Sequence, residues 1–355
     1  MVETPYLRFE RSGPLGIVVL DRQEALNALD HAMVRTLSAQ LAAWKDDPQV
    51  AAVVVRPVPG RAFCAGGDIR EIVHRLRCEG VDAAWRFFHD EYRLNWRIKH
   101  YPKPYIAVMN GITMGGGVGI SIHGSHRIVT ENTVFAMPET GIGFFPDVGG
   151  SYFLPRLPGE IGMFLGLTGH RLRAPDCLYL GLATHHLPAA KWPLVEETLA
   201  ALPADALARR LDQVLLEFCE LPGAAPIEPL RGVIDACFAQ PELSEVFDAL
   251  AAEKTGFGAE QLKLLGEKSP LSLHVTFRQL RRGRSLDFDR CMQLEYRIVR
   301  RFLECGEFAE GVRAAVLDRD RRPRWSFSDV RSVPPEVVEA FFAELPGGDL
   351  RFDWT

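Results

Sequence analysis

Three short segments of this 355-residue sequence carry residue types that could do chemistry. The first is Gly115-Gly116-Gly117, inside the stretch 110–119. Consecutive glycines present bare main chain, so a ligand can approach with no Cβ in the way. If a helix begins there, its first N–H groups lack intrahelical partners, and the helix dipole favours an anionic oxygen in front of them. The second is the turn Ala65-Gly66-Gly67, which could add another N–H to make a two-donor oxyanion hole. One such donor is typically worth ~3–4 kcal/mol of transition-state stabilisation. The third runs from Met137-Pro138-Glu139 to Gly149-Gly150 and contains Asp147, with Gly141, Gly143 and Pro146 between the two acids. If those carboxylates converge, burial and mutual repulsion drive their pKa values apart and produce one acid and one base.

Competing chemistries fail on spacing. The sequence has no Gly-Lys pair for a P-loop and no Gly-x-Gly-x-x-Gly after a strand. No serine sits in Gly-x-Ser-x-Gly; Gly149-Gly150-Ser151-Tyr152-Phe153 ends on the wrong residue. His-x-x-x-His with a neighbouring acid is missing, and none of the seven cysteines forms Cys-x-x-Cys. Cys64, beside the first glycine turn, reads as a small buried residue at a strand end rather than a nucleophile. His123, His126, His185 and His186 read as structural.

These segments need rigid elements to aim them. Gly16–Leu20, Ala51–Arg56, Tyr105–Met109 and Arg127–Thr130 read as short buried strands. Val34, Leu37, Leu41 and Trp44 recur at helical spacing after an N-cap at Asp30. Strand, helix, strand in this order implies a mostly parallel sheet with helical crossovers. From about Lys191 strand-like runs vanish and helical patterns such as Leu294, Ile298 and Phe302 take over. The expected organisation is an α/β core over 1–190 and a helical region over 191–355, with a peripheral tail after Pro334. A net charge of -5 leaves no electrostatic footprint for nucleic acid, and no apolar run approaches a membrane span. Scattered cysteines and the lack of a leader-like start point to reduced thiols and a cytoplasmic setting. Two basic clusters, Arg281/Arg282/Arg284 and Arg319/Arg321/Arg322/Arg324, read as solvated faces or as contacts to the phosphates of an anionic cofactor.

The order AFCAGGDIR, KPYIAVMNGITMGGGVG, FAMPETGIGFFPDVGG resembles the crotonase (enoyl-CoA hydratase/isomerase) superfamily. FFHDEYRLN, SPLSLHVTFRQL, MQLEYRIVRR and EGVRAAVLDRDRRPRW extend the likeness to its 3-hydroxyisobutyryl-CoA hydrolase branch, over roughly residues 5 to 326. The resemblance implies a crotonase-type ββα superhelix and an acyl-CoA thioester as partner, with no metal or redox cofactor and with a homo-oligomer possible. It places the oxyanion hole on the backbone N–H groups of Ala65 and Gly116, makes Glu139 and Asp147 the catalytic acids, and makes Glu91 the contact to a 3-hydroxyl. Asp68 is either a substrate contact or an N-cap, and Arg22 lies in the loop near which CoA binds. Glu139 either activates water or attacks the thioester to give an anhydride. Hydratases of the superfamily carry a second glutamate where this chain has Gly119. The expected reaction is therefore hydrolysis of a short branched 3-hydroxyacyl-CoA, as in valine breakdown. An enoyl-CoA hydratase/isomerase and a non-catalytic acyl-CoA binder are the alternatives.

Overall fold

The computed structural model describes residues 4–354. Among the described residues nine strands divide between two sheets. The larger runs, in spatial order, β1 (Leu7–Ser12), β2 (Leu15–Leu20), β3 (Ala52–Pro57), β5 (Tyr105–Met109), β7 (His126–Val129), β9 (His185–His186); the smaller runs β4 (Ala62–Cys64), β6 (Ile112–Met114), β8 (Val134–Ala136). Only β1 and β2 pair antiparallel; all other pairs are parallel. Each turn of chain thus lays one strand in the large sheet, the next in the small sheet, and returns through helix. This is the expected ββα superhelix, and the four strand expectations hold to within about a residue at each end.

Alternation along the strands explains why the large sheet is buried on both faces. Val18, Leu20, Val53, Val55 and Ala107 point into the main core. Leu15, Ile17, Val19, Val54 and Ile106 point the other way, where Trp192, Val195, Leu207 and Leu211 cover them. Parallel sheets with both faces covered read as continuous β-branched runs, as these do.

Helix α1 (His31–Lys45) begins where Asp30 accepts the Met33 N–H at 2.7 Å, so the expected cap is present. Helices α2 (Ile69–Glu79), α3 (Val81–Lys99) and α4 (Gly116–Gly119) follow β4 and β6. Downstream come α5 (Gly150–Phe153), α6 (Trp192–Ala200), α7 (Ala204–Phe218), α8 (Pro270–Gly283), α9 (Phe288–Cys305) and α10 (Glu307–Val312), with further helices between. After β9 the described chain is helix and loop. The core does not divide there, however: one apolar cluster joins Leu7 and Val53 to Phe302 and Leu350. The tail after Pro334 is not peripheral. The Phe341 ring packs at a tilt 4.7 Å from Phe302, and Phe342, Leu345 and Leu350 are buried with it, because these side chains complete the outer face of α9.

Candidate active site

The smaller sheet aims the chemistry. Its three parallel strands end side by side, and the segments that follow them are the two glycine turns and the Pro138-Glu139 turn. Together with Glu91 and Phe87 of α3 and Phe308 of α10, they enclose a cavity of about 190 Å³. Glu139 and Asp147 both line it, so the loop between them does bring the two acids together.

The oxyanion donors need one correction. The Ala65 N–H is already committed to the Leu26 carbonyl at 3.0 Å. Two residues on, the chain bridges to Leu29: the Leu29 N–H reaches the Gly66 carbonyl, and the Asp68 N–H reaches the Leu29 carbonyl, each at 2.8 Å. This alternation turns the Gly67 N–H to the opposite side. A Cβ built on Gly116 would lie 3.1 Å from the Gly67 nitrogen, so the two peptides are neighbours. Neither the Gly67 nor the Gly116 N–H has a hydrogen-bond partner among the described residues. Gly116 opens α4 as expected, and Gly115 before it takes φ 48°, a conformation that glycine adopts without penalty. The donor pair that the geometry offers is Gly67 with Gly116.

Asp68 is likewise corrected. Its carboxylate accepts the Glu71 N–H at 3.2 Å and the Arg22 guanidinium at 2.7 Å, and it is not part of the cavity wall. It caps α2 and holds the first loop.

Three buried carboxyls face a site whose wall contains no cation. Glu91 is 2 % exposed, and its Oε1 has no hydrogen-bond partner among the described residues; Glu139 Oε2 is in the same condition. Burial pushes the Glu91 carboxyl well above the usual range, and Asp147 and Glu139 push it further. Glu139 is raised by burial and then by Asp147. Asp147 is raised by burial to about 7, held back by the Tyr92 hydroxyl, which donates to Oδ2 at 2.9 Å. Orphaned buried oxygens normally mark a site that a ligand completes.

Several supporting residues were not anticipated. Glu295 on α9 is fully buried and accepts the Gly149 and Ser151 N–H groups, each at 2.8 Å. Gln279 on α8 donates to the Pro146 carbonyl at 2.7 Å and to Ser151 Oγ at 2.8 Å. Between these clamps Val148 holds φ 50°, a left-handed conformation costly for a β-branched residue. His123 sits 2.7 Å from the Val148 carbonyl, and burial drives its pKa down to about 3, so it is a neutral donor. The signal for Glu295 was present: it occupies the apolar stripe of Cys291, Ile298 and Phe302, where a carboxylate has no business unless it is bonded.

The remaining expectations resolve simply. Cys64 is fully buried, outside the cavity wall, and its thiol is pushed up to about 12 by burial. His126 meets Asp212 at 3.0 Å and His186 meets the Glu220 carbonyl at 2.7 Å, away from the site. Arg281 and Arg284 pair with Glu160 and Arg282 pairs with Glu339, so that cluster is structural. Gly119 shows why a second hydratase-type glutamate is absent: a Cβ there would stand 2.7 Å from Asn95 Nδ2 and 2.8 Å from Val148 Cβ.

The family model for enoyl-CoA hydratase/isomerase matches residues 15–342. The 3-hydroxyisobutyryl-CoA hydrolase, mitochondrial, of Xenopus tropicalis is 40% identical over 96% of this chain and 89% of its own length. The human protein of the same name is 40% identical over 97% and 90%. Among solved structures, a carnitinyl-CoA dehydratase from Mycobacterium thermoresistibile superposes with a TM-score of 0.91 at 36% identity, covering 99% of both chains. An enoyl-CoA hydratase from Rhodobacter sphaeroides gives 0.90 at 39%, covering 98% of this chain and 100% of its own. The chain belongs to the enoyl-CoA hydratase/isomerase family. The curated relatives that resemble it along nearly their whole length are 3-hydroxyisobutyryl-CoA hydrolases, acyl-CoA thioester hydrolases by name. These relatives are mitochondrial, which overturns the cytoplasmic setting expected above; all seven cysteines are free, and free thiols do not separate one reducing compartment from another.

Proposed function

We propose that this protein hydrolyses a short branched 3-hydroxyacyl-CoA, 3-hydroxyisobutyryl-CoA being the substrate named by its relatives. The observation that carries the reading is the convergence of Glu139, Asp147 and Glu91 on one small cavity beside two free backbone N–H groups. The thioester oxygen lies against the Gly67 and Gly116 N–H groups, which stabilise the negative charge that develops there. Phe87, Phe88 and Ile72 accept the branched acyl carbons, and Glu91 Oε1 accepts a hydrogen bond from the 3-hydroxyl.

Burial and mutual repulsion raise both Glu139 and Asp147 and oppose charging the two together, so in this reading the pair holds a single negative charge. A proton passing from Glu139 to Asp147 gives Glu139 the charge when substrate binds. Its carboxylate then either takes a proton from the attacking water or itself adds to the carbonyl; the C–S bond breaks and Asp147 gives its proton to the CoA sulfur. In the second case water, losing a proton to Asp147, cleaves the resulting anhydride to the free acid and the Glu139 carboxylate. Net, water adds across the thioester to give the free acid and the thiol. The chemistry draws on no cofactor.

The solved relatives bear hydratase and dehydratase names, so the discriminating experiment compares both reactions. Free thiol released from 3-hydroxyisobutyryl-CoA should exceed hydration of crotonyl-CoA, followed by loss of enoyl absorbance. Glu139→Gln and Asp147→Asn should each abolish thiol release while leaving acyl-CoA binding largely intact. Predominant hydration by the wild type would overturn the hydrolase reading.

A further inference from the structure

Asn95 lies one turn after Glu91 on α3, on the same face of the helix, and is fully buried. Neither its Oδ1 nor its Nδ2 has a hydrogen-bond partner among the described residues. A side-chain amide has two donors and a two-lone-pair acceptor, and burying it with none of these bonds made is costly. The substrate does not supply the partner, because Asn95 is not part of the catalytic cavity's wall.

The element packed against this face is bare main chain. A Cβ on Gly116 would meet Glu91 Oε1 at 2.5 Å, and one on Gly119 would meet Asn95 Nδ2 at 2.7 Å. Gly116 and Gly119 are one turn apart on α4, so the two polar side chains of α3 lie along one glycine face. Glu91 and Asn95 do not bond each other, since Glu91 Oε1 and both polar atoms of Asn95 lack partners. Side chains one turn apart leave a helix about 5–6 Å from each other, a gap that one water spans with two hydrogen bonds of about 2.8 Å. Internal waters lodge where several buried polar groups lack partners, and here both ends of such a bridge are open.

We infer that Asn95 is a positioning residue for Glu91: through a water held between α3 and the glycines of α4, it fixes the Glu91 carboxyl and so sets the preference for an acyl group bearing a 3-hydroxyl. The Asn95 amide donates to the water oxygen, and the water donates to the carboxyl. Glu91 is then pre-oriented, and a bound 3-hydroxyl need not order it. The inference rests on the reading of Glu91 as the contact to that hydroxyl, and not on the hydrolytic step.

The test uses Asn95→Leu, which keeps nearly the same volume and removes every side-chain hydrogen bond. Asn95→Ala removes the same bonds without added bulk and gives the same reading should leucine disturb the fold. Both are made in the Glu139→Gln background, and calorimetry measures the affinities for 3-hydroxyisobutyryl-CoA and isobutyryl-CoA. The preference for the hydroxylated ligand should fall roughly fivefold to tenfold, the scale of a lost hydrogen bond to a carboxylate, while isobutyryl-CoA binds as before. Glu91→Gln should lose the preference as well, and adding Asn95→Leu to it should remove nothing more, because the two residues act through one contact. A residue that merely packs would weaken both ligands alike and add its effect to that of Glu91→Gln. An undiminished preference, or an equal loss for both ligands, would overturn the inference. Equal affinity for both ligands before any change at Asn95 would remove the Glu91 contact and the inference with it. A preference that depends on Asn95 in a protein whose wild type releases no thiol would overturn the hydrolase reading and leave this role standing.

Discussion

Tyr92 and Asp147, 55 residues apart, meet through a 2.9 Å hydrogen bond in which the phenol donates to the carboxylate. This contact favours the ionised form of Asp147 against the burial that opposes it. Tyr92→Phe removes the donor, so the Asp147 pKa rises and the acidic limb of kcat/KM moves to higher pH. Activity at neutral pH should fall roughly tenfold, as for loss of a hydrogen bond to a charged group, and recover partly in alkaline buffer. An unmoved limb would remove Asp147 from the titration that governs turnover.

Gly116 tests the oxyanion hole. A Cβ there would stand 2.5 Å from Glu91 Oε1, so even Gly116→Ala must displace an acid that lines the cavity. Gly116→Val should lower kcat/KM by ~10²–10³, the scale of a lost oxyanion donor. Gly116 lies outside the left-handed region, so backbone strain is not the cause of any loss. A well-folded valine variant with near-normal turnover would move the oxyanion hole elsewhere.

Gly119→Glu restores the glutamate expected of hydratases, yet it should not create one. Asn95 and Val148 occupy the space, and overpacking of this kind costs about 1–3 kcal/mol. The melting temperature should drop with no gain in crotonyl-CoA hydration. A stable variant that hydrates would show that the surrounding packing yields.

Glu295 and Asp147 predict how stability varies with pH. Burial raises them to about 8 and about 7 in the folded protein, from 4.5 and 3.8 in a solvated chain. The folded state therefore binds more protons than the unfolded state across that window, and these two groups make stability fall as pH rises from about 4 to about 8. Glu295→Gln should lower the melting temperature, because one N–H of residues 149 and 151 loses its acceptor; the cost is about 1–3 kcal/mol. Its melting temperature should also vary less with pH than that of the wild type. An equal slope in both proteins would clear Glu295 of this role.

Local pattern made much of this site legible. β-branched runs marked the strands of the large sheet, the triple glycine marked α4, and Glu139 stood at a strand end. What escaped depends on which way a peptide faces. Ala65 and Gly67 share one turn, but only the bridge to Leu29 decides whose N–H points into the cavity. Asp68 was ambiguous for a similar reason: cap and ligand residues look alike until the partner is seen. Tyr92, Gln279 and Glu295 escaped because their partners lie 55, 133 and 146 residues away, beyond any periodicity. The tail misled because polar and charged residues outnumber the few phenylalanines and leucines that bury themselves against α9.

The long reach from Glu295 back to Gly149 has a consequence for how the protein is made. Chains fold from the N-terminal end as they leave the ribosome. Both glycine turns, Glu91 and Glu139 are synthesised within the first 139 residues, but the clamps on the loop bearing Asp147 arrive only with α8 and α9. A nascent chain can therefore display the oxyanion donors and two of the acids while Val148 is still free to relax and carry Asp147 out of place. The loop bearing Asp147 is thus held in its final place only once α9 has cleared the exit tunnel and Glu295 has docked.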